Sequence, residues 1–234
     1  MVINLIMLSI MAQSERVCIA SFEMKPRRTM QRMVRQFSGV MVPTISEIKK
    51  FSNWLIDRLW IYDQLGSVKA DRLLAVIRYC FAELDIHHFV IDSLMMCGIG
   101  TDDYNKQKWF AAELSGIARD YNKNIHLVLH SRKGSDSTKI MDKFDIKGAG
   151  ELSDMADNIY ITWKNVKKEM KDNEELSFED EKKPDAMLIV DKQRNGEWTG
   201  KVSLWYQRES FQLLPWQNCH KFYADDWISN KFYV

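Results

Sequence analysis

An α/β fold is predicted for this chain, with a mostly parallel sheet flanked by helices and extended by antiparallel strands toward the C-terminus. Three observations predict it. Short apolar, strand-like runs alternate with amphipathic helical stretches through residue 130. Beyond that point strand-like runs follow one another almost without helices, the pattern of a parallel sheet continued by antiparallel strands. Polar residues stand where several apolar runs end.

In chain order, "MVINLIMLSIMAQSER" opens with an apolar stretch. It has no basic flank, Asn4 interrupts it, and it is too short to span a bilayer. A buried helix over residues 1–14 is expected. "RVCIASF" (16–22) reads as a strand ending near Glu23. "PRRTMQRMVRQFSG" (26–39) carries Pro at a helix start and Gly at its end. "TISEIKKFSNWLIDRL" (44–59) begins with a capping box, Thr44 with Glu47. "LWIYD" (59–63) reads as a strand, residues 67–84 as an amphipathic helix, and "IHHFVID" (86–92) as a buried strand. Residues 105–122 place Phe110, Leu114, Ile117, Ala118 and Tyr121 on one helical face. "IHLVLH" (125–130), "ADNIYITW" (156–163), "DAMLIVD" (185–191) and "KVSLWY" (201–206) complete the strands. Residues 164–184, rich in charge, read as a solvated mobile loop.

The totals set bounds. A chain of 234 residues, 46% hydrophobic and 28% charged, is long enough for one domain with a full core. A net charge of +1 excludes a global basic field, so any nucleic-acid contact is a local patch. Cys18, Cys80, Cys97 and Cys219 are scattered with no CxxC pair, which argues against a zinc site or a disulfide framework and for a reducing compartment.

Glu23, Asp92 and His130 each stand where a strand-like run ends. In a parallel sheet such ends share one edge, and that edge is where ligands bind. An unpaired buried carboxylate costs several kcal/mol, so Asp92 requires a partner or a metal. Singly, each residue has an ordinary explanation: a strand-end carboxylate as a cap or loop residue, His130 as a satisfied hydrogen-bonding histidine. Together they form a constellation.

The ordered stretches "CIASFEMKPRRTMQRMVRQFSG", "FVIDSL", "LVLHSRKG", "DIKGAGELSDMADNIYITWKN" and "DKQRNGEWTGKVSLWY" resemble the RecA-like motor domain of DnaB-type ring helicases, phage primase-helicases and the Twinkle helicase above all. The resemblance covers about residues 1–212, with 213–234 as a tail. It implies an ATP- and magnesium-dependent DNA helicase that translocates on single-stranded DNA as a hexameric ring and hydrolyses ATP at subunit interfaces. Primase or other replication proteins are implied partners, and the cytoplasm of a bacterial or phage-infected cell the implied location. By position, Glu23 would polarise the attacking water and Asp92 would hold magnesium through water. His130 would sense the γ-phosphate, while Lys192 and Arg194 would reach a neighbouring subunit's site. Arg132, Lys133 and Lys147 would contact DNA. Without the resemblance, Lys192 and Arg194 read as an exposed basic turn, and the lysines of 130–150 as a solvated loop.

One part of the family pattern is missing. No GxxxxGK(S/T) phosphate loop occurs in the 234 residues. The resemblance aligns the first helix with the one that follows that loop. The family's strand before the loop lies between those matching 125–130 and 156–163. A sheet lacking this central strand, with two unpaired edges, is therefore expected. The chain is then expected to be a truncated or internal-start product or a gene fragment. The competing reading is a non-catalytic DNA-binding or ring-assembly module.

Overall fold

The computed structural model describes residues 2–100, 103–130, 149–170 and 178–231. The first half alternates as the sequence predicts: α1 (Val2–Ala12), β1 (Val17–Ser21), α2 (Pro26–Ser38), α3 (Ile45–Trp54), β2 (Leu59–Ile61), α4 (Ala70–Glu83), β3 (His88–Asp92), α5 (Tyr104–Tyr121) and β4 (Asn124–Leu127). The second half adds α6 (Ala149–Met155), β5 (Asn158–Lys164), α7 (Val166–Met170), α8 (Phe178–Lys182), β6 (Ala186–Gln193), β7 (Gly200–Gln207), β8 (Gln212–Leu214) and α9 (Ala224–Ser229).

Local chemistry explains the boundaries. Pro26 opens α2, and Gly39 closes it at φ 71°, its N–H donating to Arg35 O. A Cβ at residue 39 would meet Phe222 O at 2.7 Å, so only glycine fits there. The capping box at α3 is formed: Glu47 N donates to Thr44 Oγ1 (3.3 Å), and Thr44 N donates to Glu47 Oε2 (2.6 Å). Asp103 caps α5 by accepting from Lys106 N at 3.0 Å.

The strands form two sheets. One is parallel, in the order β2-β1-β3-β4, and the other antiparallel, in the order β5-β6-β7-β8. No strand among the described residues joins β4 to β5. Alternation along the central strands divides the core into two layers. Cys18, Ala20, Phe89 and Ile91 pack with Leu73, Ile77 and Phe81 of α4 and Phe110 and Leu114 of α5. Val17, Ile19 and Val90 pack on the other face with Met7, Leu8 and Met11 of α1, Phe37 of α2 and Phe51 of α3. Phe89 is fully buried and meets Phe81 edge-on, with ring centroids 6.5 Å apart. Phe89→Ala is expected to lower stability by about 3–5 kcal/mol, read as a shift in the denaturant midpoint. A change below about 1 kcal/mol would mean the sheet is not the centre of the core.

Three features differ from the sequence expectation. Within the charged run 164–184, residues 166–170 and 178–182 are helical. Asn165 Oδ1 accepts from Lys168 N at 3.1 Å to start α7, and Lys168 pairs with Asp185 at 2.8 Å and donates to Glu181 O and Lys183 O, which holds α8 nearby. Local caps and ion pairs shape the described parts of a stretch whose composition alone reads as solvated. The region after Pro215 contributes α9, whose Trp227 is buried against Phe222. Gln212 ties this segment down by donating to Gln36 O and Phe222 O, both at 2.6 Å. Finally, α6 occupies the end of a segment expected to be loop.

The amino edge of the parallel sheet carries a histidine cluster. His88 Nδ1 lies 3.0 Å from His126 Nε2, with the rings stacked at 5.3 Å. Burial, reinforced by His88, pushes the His126 imidazole down to about 4. Burial also pushes His88 below the ordinary 6.5, against the opposing pull of Glu15 and with His87 and Lys123 adding to the push. A lowered folded value means the unfolded chain binds the proton first. Stability is therefore retained above pH 6.5 and lost as pH falls from 6.5 toward 4. Acidification to about pH 5 is expected to cost about 2 kcal/mol through His126. Urea titrations at two pH values check this, and an unchanged pH slope in His126→Gln would refute it.

Candidate functional site

The carboxyl edge of the parallel sheet is set by the register of its two central strands. Ser21 of β1 lies opposite Asp92 of β3. Phe22 N donates to Asp92 O at 2.9 Å, which carries the ladder one residue beyond β1 and places Glu23 at the edge. On the other side, Val128 N donates to Ile91 O (2.9 Å) and Leu94 N donates to Val128 O (3.1 Å). These bonds hold the extension of β4 against β3 and bring His130 to the same edge.

Three of the expected residues therefore meet. Glu23 Oε1 accepts a hydrogen bond from Ser93 Oγ at 3.0 Å and lies 3.2 Å from His130 Nε2. Asp92 Oδ2 accepts from Ser21 Oγ at 3.2 Å, and the Asp92–Ser93 peptide bond is cis. Ser93 is fully buried, whereas the Glu23 and His130 side chains are 46% and 49% exposed. The exposed Glu23–His130 contact is screened by water and contributes at most about 1 kcal/mol to the fold. It is free to be exchanged for contacts to a ligand. The buried Ser21 and Ser93 hydroxyls are the fixed parts, each orienting one carboxylate.

Asp92 has its Oδ2 engaged and its Oδ1 without a partner among the described residues, and it borders an open cleft of about 1810 Å³ together with His130. One half-buried carboxylate with a free oxygen at a strand end suits magnesium held through water, since that ion keeps several of its waters. Among the described residues no group of three His, Cys, Asp or Glu side chains is placed to hold a metal by itself. An ion at Asp92 would therefore complete its shell from water and phosphate oxygens.

Lys192 and Arg194 lie elsewhere, at the end of β6 and the turn after it. Lys192 Nζ donates to Ser153 O (2.8 Å) and Asp154 O (3.2 Å). Arg194 donates to Asp154 O (3.3 Å), pairs with Asp157 (2.7 Å), and is half exposed. Both cations thus sit at the C-terminus of α6, where exposed carbonyls and the helix dipole favour positive charge. Within one chain they do not join Glu23, Asp92 and His130. Arg132, Lys133 and Lys147 lie outside the described residues.

Sequence reasoning assigned no role to the two serines. Ser93 stands next to Asp92, but nothing in the one-dimensional order links Ser21 to Asp92, 71 positions away. The signal that finds the pair is parallel register.

Residues 1–213 match the family described as the DnaB-like helicase C-terminal domain. The chain belongs to that family. Among curated relatives, the DNA helicase/primase of Enterobacteria phage T3 is 23% identical over 176 residues, covering 67% of this chain and 31% of that protein. The DnaB-like domain thus spans about a third of that relative's length. A solved structure described as an ATPase domain aligns with a TM-score of 0.70 at 15% identity, covering 92% of this chain and 80% of the other. A DnaB-like replicative helicase, solved in a study of its interactions with primase, aligns with a TM-score of 0.64 at 17% identity, covering 86% and 51%. At these identities the structural matches establish the RecA-like fold. Among the described residues, no helix of this DnaB-like domain is long and apolar enough to cross a membrane.

Proposed function

We propose that this DnaB-like domain is a motor subunit of a ring helicase that uses ATP and magnesium to move on single-stranded DNA in replication. The observation that carries the reading is the joining of Glu23, Asp92 and His130 on one sheet edge by Ser21 and Ser93, in a chain of this family. Glu23 is placed to accept a proton from the attacking water, its oxygen oriented by the Ser93 hydroxyl. Magnesium bound there would neutralise charge building on phosphate oxygens. Asp92, steadied by Ser21, would hold such an ion through its water shell. His130 can exchange its bond to Glu23 for one to a phosphate oxygen, coupling the nucleotide's state to the chain that follows it. Lys192 and Arg194, held on α6, act on a neighbouring subunit's nucleotide. Arg132, Lys133 and Lys147 supply phosphate contacts to the strand. The description of the phage T3 relative as a helicase/primase supports primase as a partner.

ATP hydrolysis by the purified chain with magnesium, with and without single-stranded DNA, tests this. DNA-stimulated turnover that requires Glu23 supports the motor. A second reading is favoured by one observation, the absence of a GxxxxGK(S/T) stretch from the 234 residues. On that reading the domain is a non-catalytic member of a mixed ring, lending Lys192 and Arg194 to intact subunits. Absence of turnover alone, with Arg194-dependent stimulation of intact subunits, would select it.

A further inference from the structure

Trp198 stands on the β6–β7 hairpin that also carries Lys192 and Arg194. The hairpin is anchored at both ends of its turn. Arg194 N donates to Asp157 O at 2.8 Å, and Gly200 pairs with Val190 across β6 and β7. Gly200 is the seat of the indole. A Cβ at residue 200 would meet Trp198 Cζ2 at 2.5 Å, Cε2 at 3.0 Å and Cη2 at 3.2 Å. All three atoms belong to the six-membered ring, so that ring lies against the bare backbone of Gly200. Any larger residue at 200 would lift it.

Seated in this way, Trp198 is still 52% exposed. A single exposed apolar side chain needs no role of its own. Two features set this one apart. The ring is held before any partner arrives, so little side-chain freedom is lost when something stacks on it. Its neighbour is the half-exposed Arg194, four residues earlier and so no more than about 14 Å away along the chain. A guanidinium grips phosphate oxygens, and an indole face takes a planar base. Side by side on one hairpin, they match the two ends of a nucleoside triphosphate. Neither residue lines the cleft beside Asp92, so the pair is directed away from its own chain's Glu23–Asp92–His130 edge.

We propose that Trp198 binds nucleotide in trans: its indole stacks on the base of the nucleoside triphosphate held by a neighbouring subunit, while Arg194 of the same hairpin reaches the phosphates. This inference rests on the reading of the domain as a ring subunit. Stacking accepts every base, because every base has a π-face, so the hairpin does not select one nucleoside triphosphate over another by hydrogen bonding. The base takes no part in bond breaking. The stack is therefore as strong in the ground state as in the transition state, and its loss falls on KM and not on kcat. Arg194 differs in this respect, since charge at the phosphates grows in the transition state.

The test mixes full chains carrying Trp198→Ala with intact DnaB-like subunits and follows phosphate release from ATP. Inorganic triphosphate, which has no base, serves as a competing inhibitor. The expected result is a rise in KM for ATP of about tenfold or more, the usual size of one base–aromatic stack, with kcat and the inhibition constant of triphosphate each within about twofold. Trp198→Phe should recover most of the loss, because a phenyl face also stacks. Gly200→Ala, which pushes the indole off its seat, should raise KM while Trp198 is kept. An unchanged KM in Trp198→Ala would overturn the proposal. Equal weakening of ATP and triphosphate would overturn it too, since the substitution would then have disturbed Arg194 and not a stack. Loss of oligothymidylate binding with KM unchanged would assign the ring to the DNA strand instead. Arg194→Ala in the same mixture separates the two readings. If it slows turnover while Trp198→Ala does nothing, this inference alone falls; if neither has any effect, the hairpin's role in trans falls with it.

Discussion

Glu23→Gln is expected to reduce DNA-stimulated ATP turnover by about 10²–10⁴-fold, the usual contribution of a general base. The substitution keeps the shape, and its carbonyl oxygen still accepts from Ser93 Oγ, so the contact at 3.0 Å survives. Only the ability to take a proton is lost. The effect should therefore fall on kcat, with KM for ATP changing by less than about threefold. Phosphate release is the measurement, on the chain with magnesium and single-stranded DNA and on the chain mixed with intact DnaB-like subunits. Because the Glu23 side chain is 46% exposed, the substitution has little to do to stability, and an unchanged melting transition separates lost chemistry from lost fold. Turnover within about twofold of the starting chain would remove Glu23 from the mechanism.

Arg194→Ala is expected to act in trans, with a loss of about 10³–10⁵-fold at sites this residue completes, the range seen for arginine fingers. Arg194 is half exposed, and its partners within the chain, Asp154 O and Asp157, lie at the end of α6. Those contacts position the guanidinium at a surface. Mixing supplies the decisive readout: Arg194→Ala chains combined with intact subunits should depress turnover in proportion to the interfaces they occupy, while nucleotide binding persists. Arg194→Lys should recover little, because an ammonium lacks the planar fork that grips phosphate oxygens in two places. Asp157→Ala, which frees the guanidinium from its anchor, should cause a smaller loss. Mixed rings that turn over like intact ones would leave Arg194 as a helix-capping cation alone.

Much of the parallel half was legible because its signals are local. The apolar runs of β1 and β3 and the Thr44–Glu47 box each lie within a few residues of chain, and the structure places them as the spacing predicts. Helices α7 and α8 were not legible. Their stability comes from Asn165, Lys168 and Asp185, pairings that composition averages away. Helix α9 is held by Gln212 and by Trp227 in the core, contacts from 10 or more positions away that have no period to read.

The sequence by itself determined the alternating order of strands and helices, the RecA-like resemblance, the three polar residues at strand ends and the absence of a phosphate-loop stretch. These rest on residue type and short spacing, which the linear order contains. Tertiary structure alone decided that Ser21 and Ser93 orient Asp92 and Glu23, that Lys192 and Arg194 rest on α6, and that β4 and β5 face each other across an apolar cleft. The reason is physical: parallel register and sheet-edge pairing are relations between strands tens of residues apart, fixed by packing on both faces of the sheet.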